Sequence, residues 1–512
     1  MKPVESRDGK GMGQQVIQDR LGETSSSFPP ASDPNEVKRK AVRGGLSLLM
    51  RQGFGHLIVV SGNILLARLL VPEDFGIYAV VMLVATFLTL FGDVGLGASL
   101  IQRKEEPSLE DWRTVFTFQQ ILVVTLVLII FFAAPLIRDY YEWSSSTPWF
   151  IRVTALSLMI TSFRTIPAAR LERDVEFKRL ALVELIEILL FQGTAVLSAL
   201  LGFGAWSFVL GLLARSIGGT GLIYWMAPWP IGWRWDWTRT RSLMRFGLPY
   251  QGVGVVSFVK DSINPVLIGK LLGPAAVGYV NWAGTVSVYP VIALGSFVRL
   301  FFSTFSRLQS DPPALAAALE RVLRWNNLIA FGLFALLLSQ AEEITVLVFG
   351  EKWLPGLNLL YLLSFANFFV ASGWPLMALL NAVGKSHINF TFAMIWMVCT
   401  WAFGVPLIHR YGILGFGMAN VLVQLSNVGL FWYARRLIPF RWLTLVGPSL
   451  IALVLATVTT LGVKQLMPGP SMMTLIVLAG VTLFVYLSSV FAFSRGLLIQ
   501  EIQSMVRIVR YG

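Results

Sequence analysis

Four polar side chains, Ser257, Lys260, Asp261 and Asn264, interrupt an otherwise apolar stretch of this chain. On a helix they fall within an arc of about 100° and form one stripe. A charge inserted at mid-membrane costs roughly 2.5–3.5 kcal/mol, so such a stripe cannot face hydrocarbon. It must face a cavity or another helix. Either Lys260 holds an anionic group, with Asp261 as its partner or as a coupling-ion site, or the two neutralise each other and fix helix packing.

Other apolar stretches carry similar candidates. Gln52, His56 and Asn63 lie within about 40° of one another, and Arg51 about 100° from Gln52. The planar guanidinium of Arg51 matches an oxyanion; its alternative is to snorkel to headgroups. His56 either titrates in a proton-coupled cycle or packs with its nitrogens hydrogen-bonded. Arg299 has the same two readings as Arg51. Thr86, Thr89 and Asp93 share a face, and the glycines of Asp93-Val94-Gly95-Leu96-Gly97 allow close helix approach, which makes Asp93 a cap or hinge. Glu187 and Arg215 lie at similar depth in consecutive antiparallel helices and are expected to form a structural ion pair. That pairing predicts that Arg215→Leu harms folding and that Glu187→Leu in the same chain restores it.

The elements that position these residues follow from composition. Of 512 residues, 55% are hydrophobic and only 13% charged, with a mean hydropathy of +0.68. A soluble domain is nearer one quarter charged, so most of this surface must meet lipid or other helices. A crossing helix needs about 20 apolar residues. Fourteen stretches qualify, at 44–67, 75–98, 114–137, 148–168, 179–202, 204–226, 246–269, 277–300, 326–349, 357–382, 388–408, 412–434, 442–463 and 472–494. Lys and Arg fall mainly in alternate links, which predicts both termini in the cytoplasm. The formal net charge of +13 is accounted for by those links and by anionic headgroups, not by nucleic acid.

A repeat organises the stretches. Arg68 matches Lys270, Pro72 matches Pro274 and Gly76 matches Gly278, each pair 202 positions apart, in the turn between two apolar stretches. An even number of spans separates the copies, so the halves enter the membrane in the same sense, as parallel repeats about an axis along the membrane normal. The predicted fold is all-α and polytopic, with about fourteen transmembrane helices. Residues 1–43 form a disordered cytoplasmic tail, 44–226 a six-helix lobe, 227–245 a cytoplasmic linker, 246–436 a second six-helix lobe, and 437–512 two further helices with a cytoplasmic tail.

Enzyme chemistry finds no support in the residues. Gly384-Lys385-Ser386 ends like a phosphate-binding loop, but Leu379 occupies the place of its first glycine. His56, His387 and His409 lack metal-ligand spacing, and Cys399 is alone. No cofactor or metal is expected.

The run Leu66 to Arg103 resembles the start of the bacterial oligosaccharide flippases, the Wzx-like polysaccharide transporters of the MOP exporter superfamily. Arg68-Leu69-Leu70, Pro72-Glu73-Asp74-Phe75-Gly76 and Asp93-Val94-Gly95-Leu96-Gly97 carry the likeness, with Gly269-Lys270-Leu271-Leu272-Gly273, Val277-Gly278-Tyr279 and Phe349-Gly350-Glu351-Lys352-Trp353 in the second half. The resemblance covers about residues 40–440. It implies an inner-membrane flippase that moves a polyprenyl-diphosphate-linked oligosaccharide between leaflets by alternating access, in contact with membrane lipids and with polysaccharide polymerase and export machinery. On that implication Arg51, Lys260 and Arg299 become ligands for the diphosphate. A peptidoglycan lipid-precursor flippase and a cation-coupled multidrug exporter are the alternatives within transport; a membrane glycosyltransferase or polymerase is the alternative outside it.

Overall fold

The computed structural model describes residues 53–93, 95–103, 105–467 and 469–511, with side chains left out at 242, 245–250, 296–300, 442–443 and 494–511. Residues 1–43, Arg51 and Gln52 lie outside the described residues, as does the side chain of Arg299. The account below is of the compact unit Phe54–Gln500.

All regular structure among the described residues is helical. The first half comprises α1 (Gly53–Leu69), α2 (Pro72–Asp93), α3 (Leu96–Gln102), α4 (Leu109–Tyr141), α5 (Thr147–Ser162), α6 (Thr165–Arg173), α7 (Phe177–Leu200) and α8 (Trp206–Met226). The second comprises α9 (Trp237–Asp261), α10 (Gly269–Leu308), α11 (Pro312–Ser339), α12 (Leu357–Ala382), α13 (Ser386–Tyr411), α14 (Ile413–Leu425) and α15 (Asn427–Leu437). Two further helices, α16 (Trp442–Lys464) and α17 (Met472–Tyr511), follow. They pack on the second half through Val446, Ala452 and Tyr486 against Phe331 and Phe334.

Local chemistry sets the helix ends. Pro72 opens α2 with Glu73 and Asp74 in its first turn, where a carboxylate meets the positive end of the helix dipole. The Asp74 carboxylate accepts from the Val71 amide at 3.2 Å. Ser108 and Asp111 cap α4 reciprocally. Asp236 and Asp311 accept from the third residue of α9 and α11. The segment before α9 and the first turn of α9 are held to α4: Arg234 pairs with Glu110 at 2.7 Å, and Arg239 with Asp111 at 3.0 Å.

Eleven helices among the described residues are long and apolar enough to cross a membrane. The sequence reading counts fourteen stretches, and three local features separate the two numbers. The first helix is described only from Gly53. The fourth stretch is split at Phe163–Arg164 into α5 and α6. The seventh and eighth form one apolar run, Gln251–Gly295. That run is bent at Gly273, where φ is 80° and ψ 179°, and Pro274 restarts the helix at once. Only glycine adopts this backbone region without strain, which costs other residues of order 1–3 kcal/mol. Gly273→Ala is therefore expected to lower the unfolding temperature of the detergent-purified protein; an unchanged transition would show that the turn can be made another way.

Candidate functional site

The repeated turns do more than reverse the chain. A Cβ added to Gly76 would sit 1.9 Å from the carbonyl oxygen of Pro274, and one added to Gly278 would sit 1.9 Å from that of Pro72. Each glycine thus lies directly on the backbone of the other repeat's proline. The matched cations cross over as well. Arg68 donates to the carbonyls of Leu347 and Val348, the latter at 2.8 Å. Lys270 pairs with Glu142 at the end of α4, at 2.6 Å. These two cations tie each half to the other. Lys270 also holds the exposed Glu142 carboxyl below the usual carboxylate range through that hydrogen bond.

The segment after α11 completes this clasp. Lys352 donates to the carbonyls of Arg68 and Leu70 at 2.8 and 2.6 Å, which are free because α1 ends there. The fully buried Trp353 donates to the carbonyl of Ala67 at 3.0 Å and meets Phe75 edge-on at 5.1 Å. Further along α2 and α9 the halves touch again, at Phe87 with Phe258 and at Leu90 with Gly254.

Lys260 and Asp261 lie at the end of α9, 2.5 Å apart. Directly after them the helix widens into a π turn, Asn264–Ile268. Pro265 has no amide with which to reach the carbonyl of Asp261, so the ordinary helical ladder cannot continue. Lys260, Asp261 and Asn264 line a cavity of about 420 Å³ bounded also by α10, α12, α13 and α14. Ser257 and Lys260 line a second, of about 540 Å³, between α9, α12, α13, α14 and the start of α15. Asn367, Asn420 and Gln424 belong to both walls. Among the described residues lining the two cavities, Lys260 and Asp261 are the sole charges. The sequence singled out the α9 stripe but not the amides opposite it, which lie on α12 and α14.

The remaining candidates fall elsewhere. His56 is exposed on α1. Asn63 accepts from Gln192 at 3.4 Å. Asp93 is packed at the break before α3, with one carboxylate oxygen facing the Gly97 backbone and Gly95 at a φ of 70°. Arg299 lies on α10. Glu187 is 2% exposed and lies 3.6 Å from Arg215, but it also pairs with Arg164, which the α5–α6 break turns inward. Gly219 leaves the space that Glu187 fills. Arg164 was visible in the sequence only as an awkward charge within an apolar stretch.

The profile of a family described as "Polysaccharide biosynthesis protein" matches residues 65–357, a stretch that holds both repeated turns and the Lys352-Trp353 arm. The chain belongs to this family. Similar proteins include the succinoglycan biosynthesis transport protein ExoT of Rhizobium meliloti (strain 1021), 25% identical over 79% of this chain and 80% of that protein. The lipopolysaccharide biosynthesis protein WzxC of Escherichia coli (strain K12) is 24% identical over 72% of this chain and 75% of its own length. Among solved structures, the lipid II flippase MurJ in an inward closed conformation has a TM-score of 0.72 at 14% identity, covering 88% of this chain and 99% of that one. An inward-facing multidrug resistance MATE family transporter of the MOP superfamily has a TM-score of 0.57 at 16% identity, over 75% and 94%. The fold is therefore that of the MOP superfamily, and the chain is a multi-pass membrane protein.

The shared carboxylate alters what mutation should do. Glu187→Leu removes the carboxylate that both arginines share and leaves Glu184 to offset Arg164. Breaking a fully buried pair in this way costs about 3–5 kcal/mol, an upper bound here because Arg215 is half-exposed. Arg215→Leu leaves Glu187 still paired with Arg164, and the Arg215 side chain is 49% exposed. In fluorescence-detected size-exclusion chromatography Glu187→Leu should lose more folded protein than Arg215→Leu. Adding Arg164→Leu and Arg215→Leu together to Glu187→Leu should restore more of it than adding Arg215→Leu alone. The reverse ranking would remove Arg164 from the network.

Proposed function

We propose that this protein is a flippase that carries a polyprenyl-diphosphate-linked oligosaccharide from the cytoplasmic to the periplasmic leaflet of the inner membrane, for assembly of a surface polysaccharide. The observation that carries the reading is the similarity to ExoT, named a succinoglycan biosynthesis transport protein, over four-fifths of that protein's length. This share is too large for a single lobe. The fold supports it, since two bundles that touch through mirrored turns can rock about those turns.

In this reading the repeated turns lie at the periplasmic face and both termini at the cytoplasmic face. The clasp closes the periplasmic side, and lipid-linked substrate enters from the cytoplasmic leaflet. Lys260 contacts the diphosphate as an ammonium point charge and exchanges Asp261 for it. Arg51 and Arg299 are proposed as further contacts along the route. Asp93 supports a hinge, and the Glu187 cluster keeps the first lobe rigid. The polysaccharide polymerase and export machinery act on the delivered product. A peptidoglycan lipid-precursor flippase is the second reading, favoured by the likeness to MurJ.

Deleting the gene should abolish surface polysaccharide and leave lipid-linked repeat units facing the cytoplasm; arrest of cell-wall synthesis instead would select the second reading. Lys260→Ala should reduce export at least tenfold with unchanged protein in the membrane, and undiminished export would remove the diphosphate contact. The clasp is tested in a Cys399→Ser chain carrying Val280→Cys. Gly76→Ala with Gly278→Ala should raise labelling by a membrane-impermeant maleimide from outside several-fold. Equal labelling would mean that the glycine contacts do not seal that face.

A further inference from the structure

We propose that the larger cavity of the second bundle is the subsite that holds the glycan, and that it recognises neutral sugar hydroxyls through fixed side-chain amides. The proposal rests on the flippase reading and adds to it where the sugar sits.

The wall is built before any ligand arrives. Asn389 is buried, and its amide nitrogen is committed to the carbonyl of Met377 at 2.9 Å and to Asn381 Oδ1 at 2.8 Å. That fixes the flip of the amide, and leaves Asn389 Oδ1 buried with no hydrogen-bond partner in the protein. Asn427 is oriented likewise, with its nitrogen donating to the backbone and side-chain oxygens of Gln424 at 3.0 and 2.6 Å. The break between α14 and α15 places Gln424 and Asn427 here, and Trp396 holds it by donating to Ser426 Oγ at 2.9 Å. In the adjoining cavity beside Lys260, Asn264 Oδ1 is a second buried acceptor without a partner.

The chemistry of this wall selects its ligand. Buried polar atoms are almost always hydrogen-bonded, so unpaired acceptors in the wall of a cavity call for donors. A sugar hydroxyl both donates and accepts, as an amide does, and needs no counter-charge. Trp374, Trp396 and Phe390 add flat apolar faces of the kind that a pyranose ring covers. A purely apolar ligand would leave the amides unpaired, and an anionic one would find only Lys260, at the edge. The volume of about 540 Å³ lies within the range of small-molecule sites, about 300–1,000 Å³. Lys260 lines both cavities, which places a diphosphate beside the chamber and the sugars attached to it inside.

The probes come from a strain lacking the gene. Lipid-linked saccharide that accumulates there is extracted, and undecaprenyl diphosphate serves as the sugar-free probe. Both are titrated against the full-length protein in detergent, and bound lipid is counted by native mass spectrometry. Asn389→Leu should weaken the saccharide-bearing lipid at least tenfold while undecaprenyl diphosphate changes less than twofold. Ala393→Phe, which fills the chamber from its wall, should do the same. Lys260→Gln should weaken both probes together. The glycan assignment is overturned if both chamber variants bind saccharide-bearing lipid as well as wild type, or if they weaken the two probes alike. If no lipid-linked saccharide accumulates, or the wild-type protein binds neither probe, the flippase reading itself falls and the assignment with it.

Discussion

The two repeats meet backbone against backbone at a pair of crossed contacts, and most of what surrounds those contacts is there to allow them. Gly76 rests on the carbonyl of Pro274, and Gly278 on that of Pro72. No side chain could occupy either glycine position without separating the helices. The prolines begin their helices at these contacts, so their carbonyls point along the helix and the turns stay short. Arg68, Lys270, Lys352 and Trp353 then satisfy carbonyls and a carboxylate that the crossing leaves exposed. Remove the close approach and these four residues lose their partners.

The inside of the second bundle obeys a different constraint. Helices surrounded by hydrocarbon must satisfy their polar groups within the protein. Here amides in the cavity wall are satisfied in part: the nitrogen of Asn389 is held by its neighbours, and its buried oxygen has no partner in the protein. Pro265 contributes by widening the helix just beyond Lys260, so that the charged pair and Asn264 face the same space across an irregular turn. The first bundle also holds half-paired amides, at Gln119, Gln120 and Gln192, and differs in burying a carboxylate, Glu187, against two arginines.

Much of the fold could be read from the residues. Apolar length, alternation of basic links and the 202-residue repeat gave the helical class and the two halves, because each is a one-dimensional pattern. The clasp was half legible. Arg68, Pro72 and Gly76 stood out with their counterparts, but a repeat says that two segments are alike and not that they touch. The Lys352-Trp353 arm lies some 280 residues from the carbonyls it caps, and nothing local reveals that distance in space. The Lys260 stripe was visible because charge on an apolar helix is rare. The amides Asn381, Asn389, Asn420 and Asn427 were not, since an uncharged amide among apolar residues stands out far less than a charge, even where Asn420, Gln424 and Asn427 share a helical spacing. Arg164 was visible as a charge, yet only the α5–α6 break shows why it joins Glu187.

The crossed contact at the turns has the pattern of an isologous interface, in which position i meets j and j meets i. Two separate copies of one half-length chain could make both contacts with a single glycine and a single proline each. In such an ancestor one substitution would change both contacts at once. In a single chain the two sides are free to differ: Arg68 caps carbonyls, while its counterpart Lys270 binds a carboxylate. The isologous pattern holds where backbone touches backbone and breaks in the side chains around it.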